Sequence, residues 1–261
     1  MDTSELAKDF FRQGWVKVPQ LLDPSDLPAL REVVAEVTAE EIRPTPGREG
    51  FGADQALDDY RHVLQIPKEL RFKFPVIFDI AKKVAPVARD VLGVPSVRLW
   101  SDRLYIKPGQ PFGSRATSWH QDSPKLPVDR RGQINVWIAL DDVPLKRGPM
   151  VFATGSHRLG SFGAVSQLTG DPDLSEILQG PDWEFISGCD TVPVKAGDAT
   201  FHHGLTLHRA LINNDEVDRV ALAFHMIDAD ALYTGAASAV TDGFGMKAFG
   251  PFDEERFPVL A

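Results

Sequence analysis

His120 and Asp122, in the run Thr117-Ser118-Trp119-His120-Gln121-Asp122-Ser123, set an imidazole and a carboxylate two residues apart. On an extended segment, side chains at i and i+2 leave the same face. That would bring a neutral nitrogen beside an anionic oxygen, two of the three donors of the facial triad that holds non-haem Fe(II) with positions left open. Alone, such a pair is more often a structural hydrogen bond. Downstream, His202, His203 and His208 each offer a third donor, and the residues by themselves leave the choice open. Eleven residues after His208, Arg219 opens the run Arg219–Ile227. Its even positions, Val220, Leu222, Phe224 and Met226, are a surface for packing on helices. Its odd positions, Arg219, Ala221, Ala223 and His225, suit a pocket wall, where an arginine forks onto a carboxylate and alanines leave room for it. An ion pair at a strand end is the plainer reading of Arg219 alone.

The elements that must position these groups can be read from periodicity. Residues 3–13 predict a short helix ended by Gly14, followed by an alternating strand from Trp15 to Pro19. Asp23-Pro24-Ser25-Asp26 signals a helix start, with Leu27, Leu30, Val34 and Val37 as an apolar stripe. A second long helix is expected over 75–92, kinked by Pro86. After Gly93, short β-branched runs at 97–107, 134–140, 149–153, 191–201 and 219–227 predict an antiparallel sandwich or barrel. In 133–141 the odd positions, including Gln133, Asn135 and Trp137, are polar with one aromatic, and the even ones are apolar. Such a face lines a ligand cavity or meets solvent, and parity does not separate the two. The same holds for Ser101, Arg103, Tyr105 and Lys107. The Gly/Pro-rich stretch 43–59 and the polar connection 160–182, with a short helix at 174–179, are candidate lids.

Composition narrows the class. At 261 residues, 43% hydrophobic and 25% charged, the chain is an ordinary globular one. A net charge of -9 argues against nucleic acid or anionic membrane as the main partner. There is no apolar run long enough for a membrane helix. The N-terminus lacks signal-peptide character, so a cytoplasmic location is expected. The single cysteine, Cys189, excludes an intrachain disulfide and a cysteine metal cluster.

Several short motifs in one order are more specific than any of them singly. Asp102–Gly109, His120-Gln121-Asp122, Trp137–Asp142, Gly148–Phe152, Gly155-Ser156-His157, Gly197-Asp198 and His208…Arg219 together resemble the phytanoyl-CoA dioxygenase family, most clearly over 97–228. The resemblance implies a mainly β fold with flanking helices, a double-stranded β-helix (jelly roll, cupin-like). It implies one domain over 1–261: a mostly helical part at 1–95, a β-helix core at 96–228 and a C-terminal extension at 229–261. It also implies an oxygenase using Fe(II), 2-oxoglutarate and O2, releasing succinate and CO2 as it oxidises, by default hydroxylates, a small metabolite or natural-product intermediate. His120, Asp122 and His208 take the place of the iron ligands, and Arg219 that of the arginine on the distal carboxylate of 2-oxoglutarate. Trp137, and with it Gln133, Arg103 and Lys107, fall where the family lines the cosubstrate pocket. Tyr105, Arg115, Trp119 and His225 are candidate substrate contacts. Ala210 departs from the family's usual serine, so a hydrogen bond from that position to the cosubstrate is not expected. Asp122 fills the position that related halogenases leave to Gly or Ala. A monomer or homodimer with a small-molecule substrate is expected. Two alternatives stand beside this reading: a jelly-roll isomerase or hydrolase that does not use O2, and a non-catalytic small-molecule binder.

Overall fold

A computed structural model describes residues 2–41, 64–67, 69–110, 114, 116–130, 132–162, 173–238 and 240–261. Helix α1 (Thr3–Gln13) is capped by the Asp2 side chain and stopped at Gly14, and leads into β1 (Trp15–Val18). Asp23 and Asp26 form a capping box over one 3-10 turn, and α2 (Leu27–Glu41) follows. After β2 (Leu64–Pro67) come α3 (Leu70–Lys73) and α4 (Pro75–Leu92), which runs through Pro86. The strands are β3 (Val97–Lys107), β4 (Thr117–His120), β5 (Gln133–Ala139), β6 (Met150–Thr154), β7 (Gly188–Val192), β8 (Ala199–His203), β9 (His208–Ala210) and β10 (Arg219–Asp228). One short helix, α5 (Leu174–Ile177), precedes β7. No described helix is long and apolar enough to cross a membrane.

Two antiparallel sheets form a jelly roll. The larger has the order β1-β8-β5-β10-β3-β2 and the smaller β4-β9-β6-β7. The helices cover the outer face of the larger sheet. There Val136, Ile138, Leu222, Phe224 and Met226 share one core with Leu30, Val33, Ile77, Ile80, Val84 and Val91. Each such side chain contributes about 1.5–3 kcal/mol on burial. The opposite face of the same strands turns inward. Trp137, Ala139, Ala221 and Ala223 meet Phe152, Met150 and Ala210 of the smaller sheet. The alternation in β5 and β10 therefore separates a helix-packing face from a cavity face, as the apolar positions require.

Two expectations are corrected. The run 191–201 is two strands in different sheets, because Pro193 cannot donate to a ladder and Gly197, at φ 87°, turns the chain between β7 and β8. Val34 is only half-buried, and Val33 takes its place in the stripe of α2. The lid candidate 43–59 and residues 163–172 of the 160–182 connection lie outside the described residues.

Candidate metal centre and cosubstrate cavity

His120 and His208 face each other across the β4–β9 pair. The register joins Thr117 to Ala210 and His120 to His208, so β4 carries one extra residue between them, a bulge. The strand stops at His120. Asp122 lies beyond it in a helical turn (φ -87°, ψ -42°), where its N–H and that of Ser123 both donate to Gly204 O at 2.9 Å. The two groups meet through this turn and not through the pleat that their i, i+2 spacing suggests. Imidazole and carboxylate atoms of His120, Asp122 and His208 lie within 4.8 Å of one another.

Each histidine is oriented the same way. His120 Nδ1 lies 2.8 Å from Ser118 O, and His208 Nδ1 lies 2.9 Å from Thr206 O. A carbonyl only accepts, so Nδ1 carries the proton and Nε2 is left bare on the side of Asp122. Burial lowers the pKa of both rings, His208 well below the ordinary value, which keeps them neutral and able to bind a cation. For Asp122, burial alone would raise the pKa. The imidazoles around it, His208 first, with the His202 hydrogen bond, hold it well below the ordinary range. Two neutral nitrogens and one carboxylate fit a divalent transition metal and leave coordination positions open.

His202 is the rival that geometry sets aside. Its Nε2 lies 3.3 Å from Asp122 Oδ2, so the ring donates to the carboxylate, and Nδ1 is buried without a partner. Asn135, which sequence reasoning did not nominate, donates Nδ2 to the same oxygen at 3.1 Å and lies 3.1 Å from His225 Nε2. Its position on the polar face of β5 was the only signal available. His202 and Asn135 hold Asp122 from behind and leave its other oxygen toward His120.

A cavity of about 300 Å³ opens beside the triad. Arg219 lies in its wall, 2% exposed, with Nη1 donating to Gly148 O at 3.2 Å and its guanidinium carbon 5.2 Å from the Trp137 ring centre. Its Nε has no partner, and no carboxylate pairs with it among the described residues. Burial lowers its pKa to about 10, still far above neutrality. A buried guanidinium without an anion is costly. A carboxylate-bearing cosubstrate resting on Trp137 would satisfy it, with Ala221 and Ala223 leaving the room. Asn213 sets up this wall by bonding Lys107 O and Val217 O at 3.0 and 2.9 Å, which ties the β9–β10 loop to the end of β3.

The other candidates separate by location. Arg103, Tyr105, Trp137 and His225 line the cavity. Gln133 does not: it is fully buried, and its Oε1 accepts from Ser123 Oγ at 2.7 Å, which secures the Asp122 turn. Lys107 is also fully buried and stands beyond the cavity, opposite Arg219 in the register. Trp119 points to the other side of β4, among Val151, Ala153 and Leu207, because its neighbour His120 takes the inward face. Arg115 lies outside the described residues. Trp100 reaches the cavity although Ser101, Arg103 and Tyr105 set the opposite parity. The register slips one residue between His225/Ser101 and Met226/Leu99, and this bulge turns it inward.

A family model described as phytanoyl-CoA dioxygenase matches residues 10–221. A phytanoyl-CoA dioxygenase domain-containing protein 1 from Danio rerio is 23% identical, over 87% of this chain and 91% of its own length. The counterpart from Rattus norvegicus is 29% identical over 48% of this chain, which spans 44% of that relative. Among solved structures, the non-haem α-ketoglutarate-dependent epimerase SnoN from nogalamycin biosynthesis is 26% identical, covers 99% of this chain and 98% of its own, and has a TM-score of 0.75. SnoN in complex with Fe3+, α-ketoglutarate and nogalamycin RO gives 0.77. The carbocyclase SnoK of the same biosynthesis is 27% identical over 98% of this chain and 96% of its own, with a TM-score of 0.72.

Proposed function

We propose, on the premise that this chain belongs to the phytanoyl-CoA dioxygenase family, that it oxidises a small natural-product intermediate, with hydroxylation as the default outcome. The chain is an enzyme that depends on non-haem iron and 2-oxoglutarate. In our reading His120, Asp122 and His208 hold the iron, and Arg219 holds the far carboxylate of 2-oxoglutarate above Trp137. One observation carries this assignment: two bare imidazole nitrogens and a carboxylate converge beside a buried arginine that pairs with no carboxylate among the described residues. Iron and 2-oxoglutarate together supply O2 activation, with succinate and CO2 as coproducts.

The remaining work falls to the chain. His202 and Asn135 fix the orientation of Asp122 through its Oδ2. Ser118 and Thr206 carbonyls hold the imidazole rings. Trp137, Met150 and Phe152 keep the pocket floor apolar, which strengthens each electrostatic contact made there. Ala210 offers no hydrogen bond, so Arg219 bears more of the cosubstrate's grip.

A second outcome has its own support. Similarity over nearly the whole chain to an epimerase and a carbocyclase favours epimerisation or ring closure at the same centre. Product mass distinguishes the outcomes: hydroxylation adds an oxygen, epimerisation leaves the mass unchanged, and ring closure removes hydrogen. The test is succinate release from a small-molecule panel, with metal content measured in parallel. His208→Ala should lose iron and turnover. His202→Ala should retain iron with affinity weakened roughly 10–100-fold, the range for a residue that only orients a ligand. Equal iron loss in both variants would overturn the assignment of His208 over His202.

A further inference from the structure

The cavity carries more positive charge than the metal and cosubstrate require. Arg103, Lys125, Arg209 and Arg219 line it, and Asp122 is the one carboxylate among its described lining residues. This occurs in a chain of net charge -9. With the site filled as proposed above, Asp122 and the two carboxylates of 2-oxoglutarate balance the iron and Arg219. Arg103, Lys125 and Arg209 are then left over, and Arg209 is engaged over the Trp119 ring, 5.5 Å from its centre. Neither Arg103 nor Lys125 is paired with a carboxylate among the described residues; Arg103 is half-buried, and Lys125 lines the cavity while exposed to solvent. They come from different elements, Arg103 from β3 and Lys125 from the turn after Asp122. Both lie near enough to His225 to oppose its protonation, so they address one region of the cavity.

Arg103 is badly placed to share the cosubstrate with Arg219. In the register Arg219 stands opposite Lys107 and Arg103 opposite Ala223. That is four residues along β3, about 13 Å. Between them Tyr105 fills the same face. The wall beside Arg103 and Lys125 is apolar. Trp100 is 2% exposed and stacks on Phe257 at 5.0 Å, and Leu126 and Val240 flank it within the same cluster. A half-desolvated cation facing a cavity, as Arg103 does, is stabilised when an anion completes it, and Lys125 adds a second positive charge at the same region.

We infer that the substrate is an acidic small molecule, a carboxylate or acidic phenol on an apolar body, with Arg103 and Lys125 as its specificity-determining contacts. The inference rests on the iron and 2-oxoglutarate reading of the same cavity, and the test separates the two. The probes are 2-naphthoate and its methyl ester, which share a ring system and differ in charge. Their binding is followed by quenching of tryptophan fluorescence, with the protein held under anaerobic Fe(II) and 2-oxoglutarate so that Arg219 is occupied. The acid should bind about ten-fold or more tightly than the ester. In Arg103→Gln/Lys125→Gln the preference should fall below about two-fold, while the charge-keeping pair Arg103→Lys/Lys125→Arg should retain most of it. The visible absorption of the Fe(II)–2-oxoglutarate complex reports cosubstrate binding independently and should be unchanged in the glutamine pair. Equal binding of acid and ester in the loaded wild type overturns the inference and leaves the cosubstrate reading standing. Loss of 2-oxoglutarate binding in the glutamine pair also overturns it, since these cations would then belong to the cosubstrate. If the loaded complex does not form at all, the cosubstrate reading fails. The acid-over-ester preference, measured on the protein alone and on the glutamine pair, then decides the inference by the same criteria.

Discussion

At the scale of single residues, Arg219 and His225 make opposite demands on the cavity. Arg219 stays charged and pairs with no carboxylate among the described residues, so removing it should weaken 2-oxoglutarate far more than iron. The cost of Arg219→Ala is expected at roughly 2–5 kcal/mol, because the carboxylate left behind is desolvated and unpaired. That is about thirty-fold to several thousand-fold in affinity, and lysine should recover part of it. An anaerobic 2-oxoglutarate titration checks this, and a shift under about three-fold with iron retained would assign the carboxylate to another residue. His225 is held neutral: burial lowers its pKa to about 3, with Asp122 opposing. The folded-state value is thus below the ordinary value near 6.5, so the unfolded chain takes up the proton first. Its stabilising contribution is full above about pH 6.5 and is lost as pH falls toward about 3. In metal-free protein, His225→Gln should flatten the decline of unfolding free energy in that window by up to about 1.4 kcal/mol per pH unit. Parallel profiles for wild type and variant would show that His225 does not titrate on unfolding.

Among the elements, the turn after β4 depends most on its neighbours. Gly204 accepts from Asp122 N and Ser123 N, and a Cβ there would collide with Gln133 Oε1 and Ser123 Oγ. Those two atoms already bond each other at 2.7 Å and have no free direction in which to move. Gly204→Ala should therefore cost about 1–3 kcal/mol of stability through overpacking. It should also weaken metal binding by roughly 10–100-fold, because the Asp122 turn shifts. Metal titration beside a thermal melt tests both, and unchanged metal affinity would mean that Asp122 is held without this clamp. The turn was only half legible in the sequence. H-x-D was visible as a motif. That its carboxylate sits past the strand end, and that Gln133 holds the turn and does not meet cosubstrate, depended on contacts between residues far apart in the chain.

For the whole molecule, the C-terminal residues and the helices are joined through one buried charge pair. Arg71 Nη1 meets Asp102 Oδ2 at 2.7 Å with both side chains almost fully buried, and Arg71 Nη2 donates to Arg256 O at 2.7 Å. This joins α3, β3 and the C-terminal segment behind Trp100, and so supports the cavity wall from outside. Removing one partner leaves a buried charge, so Asp102→Ala should cost about 3–5 kcal/mol. The apolar replacement Arg71→Met/Asp102→Leu should recover most of that. Denaturant unfolding of the two variants checks the prediction, and equal stability would show that the pair is not isolated from water.

Residue types and spacing alone determined the chemistry on offer: an H-x-D pair, a later histidine, an arginine among alanines, and strands whose alternate faces differ. Such features are legible because pleat parity and hydrophobic periodicity are local properties of the chain. The tertiary structure decided which histidine joins the pair. His202 and His208 are chemically the same side chain. Only the β4–β9 register and the Thr206 carbonyl behind His208 leave its Nε2 bare, whereas the Nε2 of His202 turns onto Asp122. It also decided which cations share the cavity. Arg103 and Lys107 have the same strand parity, yet one opens onto the cavity and the other is sealed past its end. Parity determines a side chain's face, whereas the position of a cavity along that face depends on how the two sheets pack.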